Sequence, residues 1–195
     1  MKDLAGTAIR EEDESLSHQW DMDPARGSLP IQLTESIREA FETSGLALTK
    51  SPTRETESAE YGACRFEVEG RSIAFRVAKT TPTKVGQFVT IWKRPDPASE
   101  IAPLDSTDDV SSVIIAAFDR DHRGLFIFNR SELIRRGVMS VAGDGGKRAI
   151  RVYAPWVHPD SKQAIQTKRW QSARFVQLQP QESVDADRLL DLIQG

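Results

Sequence analysis

The chain is poor in the residues that build covalent and metal-centred chemistry. Its 195 residues hold one cysteine, Cys64, which excludes an internal disulfide framework and suits a reducing compartment. The three histidines, His18, His122 and His158, lie far apart, and none stands in an HExxH or paired-ligand spacing. There is no GxSxG elbow for a serine nucleophile. The stretch "GDGGKR" at 143–148 has glycines, but it lacks the GxxxxGK[ST] spacing and the hydroxyl that would hold magnesium. It reads as a mobile basic loop. With no intact metal or nucleophile motif, no cofactor or metal is expected, and the reading is against catalysis. Long hydrophobic runs are missing as well. The longest, "VIIAAF" at 113–118, is far short of a membrane span, and "MKDLAGTAIREEDESL" has no continuous apolar stretch of the signal-peptide kind. A cytoplasmic, soluble protein with no membrane partner is the expectation.

The chain has no excess of positive charge, with 26 Lys and Arg against 29 Asp and Glu and a net charge of −3, but its charge is not evenly spread. Residues 1–60 carry 6 basic and 13 acidic side chains, whereas residues 61–94 carry 7 and 2. Residues 95–121 carry 1 and 7, and residues 122–178 carry 11 and 3. Two basic blocks, net +5 and +8, therefore stand between acidic ones. A field acts over about one Debye length, roughly 8 Å in physiological salt, so a local basic surface attracts polyanions whatever the total.

Residues 1–28 are acidic and broken by Pro24 and Gly27, and read as a flexible arm with Trp20 as its one anchor. Residues 29–195 read as a single domain. A helix is expected from Thr34 as N-cap, with Ile37 and Phe41 buried and Gly45 as its stop. "TKSPTRETESAE" (49–60) reads as an exposed connector. In "CRFEVE", Cys64, Phe66 and Val68 alternate with charged residues, and "SIAFRVAK" returns with Ile73, Phe75 and Val77 on one face. A turn centred on Glu69 and Gly70 places Phe66 opposite Ile73 and avoids pairing Arg65 with Arg76. "GQFVTIWK" is apolar on both faces and reads as an interior strand. Further strands are expected in "SSVIIAAF", "GLFIFN" and "RAIRVYAPW". A short helix capped by Ser131, a basic helix over "DSKQAIQTKRWQSARF" capped by Asp160 or Ser161, and a terminal helix complete the pattern. Helices at both ends around five or six strands make an α+β domain, a mixed or antiparallel sheet flanked by helices.

The candidate site follows the basic blocks. "KTTPTK" (79–84) sets Lys79 and Lys84 around Thr80, Thr81, Thr83 and a stiffening Pro82. Lysines and hydroxyls on a stiff loop suit phosphate oxygens, which need donors and positive charge but no base edge. Arg76 sits among Ser72, Ala74 and Ala78, so it is either paired with a buried acid or reaches towards a ligand. Gln87 follows the loop. In the second block Lys147, Arg148 and Arg151 enter a strand, and Trp156 stands where a base could stack or the core could close. On the basic helix Lys162, Gln166 and Arg169 share one face, with Gln163, Thr167, Trp170 and Arg174 as the adjacent stripe.

The segments "FRVAKTTPTKVGQFVTIWKR", "GLFIFNRSELIRRGVMS", "GKRAIRVYAPW" and "KQAIQTKRWQSARF" together resemble the MepB family of bacterial proteins, over roughly residues 60–178. That family is named after a protein encoded beside a multidrug efflux pump. The resemblance implies a compact α+β body with a core similar to that of restriction-endonuclease-type nucleic-acid-binding proteins, and no established activity. A metal-dependent nuclease of that type needs an acid two positions before a lysine, and Val77 occupies that place before Lys79. The expected function is therefore nucleic-acid binding without cutting, through a basic surface from residues 76–94 and 147–174. Two alternatives stand beside it. One is an atypical nuclease or hydrolase using Arg76, Lys79 and an acid from elsewhere. The other is an adaptor for a protein or small ligand linked to drug response.

Overall fold

The computed structural model of the chain describes residues 22–179 and 182–195. In chain order its strands are β1 (Met22–Asp23), β2 (Gly27–Ser28), β3 (Leu48–Arg54), β4 (Cys64–Val68), β5 (Arg71–Val77), β6 (Lys79–Thr81) and β7 (Lys84–Thr90). There follow β8 (Trp92–Lys93), β9 (Ala102–Pro103), β10 (Ser112–Phe118), β11 (Arg123–Asn129), β12 (Ala149–Val152) and β13 (Phe175–Leu178). The helices are α1 (Ile31–Ser36), continued by a π-helical turn over Ile37–Glu42, then α2 (Arg130–Arg135), α3 (Lys162–Ser172) and α4 (Ala186–Gln194).

Six strands in the order β13-β11-β10-β5-β4-β3 form the main sheet, in which only β10 and β5 run parallel. Side chains alternate across it, so each strand feeds two cores. On one face Phe66, Ile73, Phe75, Ile114 and Ile127 pack against Leu33, Ile37 and Phe41 of the first helix and Leu189 and Ile193 of α4. On the other, Ala74, Val113, Ile115, Phe126 and Phe128 pack against Val89, Ile91, Leu133, Met139 and Val152. Of these, Val89 and Val152 belong to a second, three-stranded sheet, β12-β7-β6, whose middle strand is the segment apolar on both faces. The fold is a single α+β domain, and in the β4–β5 hairpin Phe66 does lie opposite Ile73.

Several local expectations change. The "connector" holds the edge strand β3, in which Pro52 is the one buried residue. Pro at an edge costs no ladder bond, and sparse apolar content is what an edge strand carries. The first helix starts at Ile31, after Pro30, and the Thr34 hydroxyl donates to Ile31 O instead of capping. Asn129, not Ser131, caps α2 by accepting from Glu132 N at 2.9 Å. The basic helix ends before Phe175, which opens β13. Of the acidic arm, residues 1–21 with Trp20 lie outside the described residues. Residues 22–28 form a small hairpin in which the buried Asp23 accepts from Arg54 N at 2.7 Å and Ala25 N at 2.8 Å. The loop at 143–148 is held at its base by Asp105, whose Oδ2 accepts from Gly143 N at 2.8 Å and from Ser140 Oγ at 2.7 Å.

Candidate functional site

Lys79 of β6, Phe88 of β7 and Arg151 of β12 stand directly opposite one another, so they share one face of the small sheet. The Lys79 ammonium lies 4.8 Å from the centre of the Tyr61 ring, Tyr61 meets Phe88 edge-on at 6.1 Å, and the Arg151 guanidinium lies 5.9 Å from Phe88. The row runs cation, aromatic, aromatic, cation, each contact favourable through the ring quadrupole. Arg151 also braces the turn after β6. Its Nη1 donates to Gly86 O at 2.9 Å and to Thr81 Oγ1 at 3.1 Å. Gly86, at φ +81°, lets Tyr153 lie across it: an added Cβ would stand 2.7 Å from both Tyr153 Cδ1 and Val152 O.

Beside this row a cleft of about 680 Å³ opens between β12, α3 and the Thr83–Val85 turn. Four cations line it, Lys84, Arg136, Lys147 and Arg151, against one carboxylate, Asp160. Arg136 is shared with the protein: Nε lies 2.8 Å from Glu132 Oε1, and the guanidinium 4.8 Å from the Trp170 ring centre. Glu132 is buried among Arg135, Arg136 and Arg174. Burial pushes its carboxyl up, but the hydrogen bond from Arg136 and the three guanidiniums outweigh this and hold it below the usual carboxylate range. Among the described residues, Lys84, Lys147 and Arg151 have no acidic partner within ion-pair distance.

Helix α3 forms the far wall. Ser161 caps it by accepting from Ala164 N at 3.2 Å. Gln171 ties the helix to the free edge of β12, accepting from Tyr153 N at 2.9 Å and donating to Arg151 O at 3.0 Å. A side-chain amide thus occupies the backbone groups that an edge strand would otherwise expose. The stripe turned to the cleft is Gln163, Thr167 and Trp170.

Of the residues expected to form the site, the cleft gathers Lys84, Lys147 and Arg151; Thr81 adjoins it through Arg151, and Lys79 lies two strands away on the Arg151 face of the small sheet. Others lie elsewhere. Arg76 is 1% exposed, and its Nη1 pairs with Glu55 Oε2 at 2.6 Å, so it belongs to the interior and not to a contact surface. Burial lowers its pKa, and the Glu55 carboxylate opposes that shift. Gln87 is buried with its amide donating to Phe118 O at 2.9 Å, because it occupies the inward-facing position beside Phe88. Trp156 packs against Phe175 and is covered by the His122 ring at 4.9 Å, so it closes the core and is not a free stacking platform. Lys162, Gln166 and Arg169 occupy the exposed face of α3, outside the cleft lining, and Arg148 is exposed but also outside it. Sequence reasoning missed Arg136 and Tyr153, and placed Gln163, Thr167 and Trp170 only as a second stripe. Nothing local marks Arg136, since its position depends on the stacking partner Trp170, 34 residues later.

Among the described residues, no group of three or more His, Cys, Asp and Glu side chains converges as a metal site would require. Val77 packs against the apolar core of the Phe66 face, and Glu67 and Glu69 are engaged by Lys50 at 3.6 Å and Ala47 N at 2.6 Å. Among the described residues, no helix is long and apolar enough to cross a membrane.

The profile described as MepB-like matches residues 55–177, a stretch that contains every residue lining the cleft. A solved structure titled "Crystal Structure of MepB" is similar, with a TM-score of 0.63 and 33% identity over 66% of this chain and 85% of that one. No curated protein matches the chain. The chain belongs to the MepB-like family.

Proposed function

We propose that the protein binds nucleic acid through the basic row and cleft around Arg151 and does not cut it. One observation carries this reading. Lys84, Lys147 and Arg151 line the cleft without acidic partners among the described residues, and Lys79 stands on the Arg151 face of the small sheet, although the chain as a whole is acidic. Cations left unpaired at a concave surface suit phosphate oxygens, and apolar and aromatic walls beside them suit sugars and bases. We read the core as similar to that of restriction-endonuclease-type nucleic-acid-binding proteins, for binding and not for cutting. Val77 fills the place of the metal-binding acid before Lys79, and Arg76 is already neutralised by Glu55.

The test is a fluorescence-anisotropy titration of labelled oligonucleotides at several salt concentrations. Four phosphate contacts predict a slope of log K on log salt of about −2.8 for single strands, or about −3.6 for duplex, at 0.7 and 0.9 per contact. Affinity unchanged between 50 and 200 mM salt, values of the order used to expose such contacts, would remove the polyanion reading and favour an adaptor for protein or small ligands. Added magnesium should produce no cleavage, and cleavage products would revive the nuclease alternative.

A further inference from the structure

We infer that the cleft accommodates a single-stranded segment, so that the protein prefers single-stranded nucleic acid to duplex. This rests on the nucleic-acid reading above and adds the form of the ligand. The shape of the site carries this preference. Proteins that read duplexes send a convex element, a helix or a two-stranded ribbon, into a groove about 12 Å wide. Here the unpaired cations line a concavity. Arg151 is half-buried in its wall, where its Nη1 is committed to Gly86 O and Thr81, and the exposed Lys84 and Lys147 stand at its rim. The convex face of α3, with Lys162, Gln166 and Arg169, points away from it.

The lining matches an unpaired nucleotide better than a phosphate rail alone. Its volume, about 680 Å³, lies within the range that encloses small organic ligands. Val85, Ala149, Ile150 and Tyr153 give it apolar surface, which a phosphate does not need and a base does. Gln163 is exposed at the wall, with an amide that offers both a donor and an acceptor to a base edge. A strand whose bases are paired cannot present them to this wall. An unpaired strand turns its phosphates to Lys84 and Lys147 and lays a base on Tyr153 and Ile150.

The experiment fills the cleft without touching its charge. Gln163→Trp and, separately, Thr167→Trp place a large ring in the lining, and both leave every cation in place. A labelled dT12 strand and a 12-base-pair duplex are titrated against the full chain and each variant at one low salt concentration. Thermal melting is followed in parallel. The expected result is at least tenfold tighter binding of dT12 than of duplex by the unaltered chain. Gln163→Trp should weaken dT12 binding at least tenfold and leave duplex binding within twofold. Gln163 is exposed, so this variant remains informative even where Thr167→Trp melts early. Equal affinity for the two forms, preference for duplex, or a filled cleft that leaves dT12 binding unchanged overturns this inference and leaves the nucleic-acid reading standing. Failure of both forms to bind at low salt overturns this inference and the nucleic-acid reading together.

Discussion

Removing Glu55 should destabilise the fold far more than its position in an irregular segment suggests. Arg76 is 1% exposed, and Glu55 provides its ion pair at 2.6 Å; the same Nη1 also donates to Phe75 O at 2.8 Å. Its Nε has no acceptor among the described residues. Arginine does not shed its proton in proteins, so in Glu55→Ala the guanidinium stays charged in the interior with one carbonyl as company. Breaking a buried pair costs about 3–5 kcal/mol. The Glu55 side chain is 25% exposed, which admits some solvent and places the expectation near the lower end, about 3 kcal/mol. For a chain of this size that is a fall in Tm of roughly 6–12 °C. Urea and thermal melts of Glu55→Ala, Arg76→Met and the double variant close the cycle. The double variant should recover most of the loss, because an apolar side chain of similar length replaces a charge that no longer has a partner. A Glu55→Ala protein that melts within about 2 °C of the parent, under 1 kcal/mol at this chain length, would mean that Arg76 has another neutralising route and that Glu55 does not hold it in the interior.

Three further outcomes follow from particular contacts. Hydrogen bonds from Ser140, Gly143 and Thr107 hold the Asp105 carboxyl well below its ordinary range, so its contribution is present above about pH 4 and lost as the pH falls below that. Asp105→Asn should accordingly lower Tm at neutral pH, with the gap to the parent narrowing in acid; a gap independent of pH would contradict the assignment. Gly86→Ala, at φ +81° and with a Cβ 2.7 Å from Tyr153 Cδ1, should cost about 1–3 kcal/mol in chemical denaturation; a neutral effect would mean Tyr153 moves freely. Val77→Asp should lose about 2–3 kcal/mol in the same assay by placing a carboxylate against the Ile73 and Phe75 core, and magnesium should not restore it. A stable variant that binds magnesium would reopen the nuclease reading.

Patterns of period two were legible in the sequence wherever one face of a strand is buried. The β4–β5 register could be chosen because the alternative pairs Arg65 with Arg76, and the observed pairing sets Arg65 opposite Ala74. Edge strand β3 was not legible, because Pro52 is its one buried residue and alternation needs more than one. With β3 unseen, Glu55 just after it could not be matched to Arg76, 21 residues away. Both fates proposed for Arg76 were therefore open until the fold brought the pair together. The basic helix posed a similar problem. Two adjacent stripes each carried amides and cations, and the choice between them is made by Trp170, which lies 5.2 Å from Phe128 and carries Arg136. The basic loop itself was legible as a loop between strands. That Lys79 and Lys84 part company, one onto Tyr61 and the other into the cleft, goes with the two extra residues, Val85 and Gly86, that β7 carries between the partners of Thr80 and Thr81.

Whether the cleft holds a phosphate backbone is read from the salt dependence of oligonucleotide binding in Lys84→Ala/Lys147→Ala, which removes two unpaired cations from the cleft rim. Both residues are exposed and outside the buried cores, so the melting temperature should stay within a few degrees of the parent. The loss of two phosphate contacts should weaken binding to all sequences alike and flatten the slope of log K on log salt by about 1.4 for single strands or about 1.8 for duplex. A folded double variant with the affinity and salt slope of the parent would contradict the account, because the cleft would then play no part in holding a phosphate backbone.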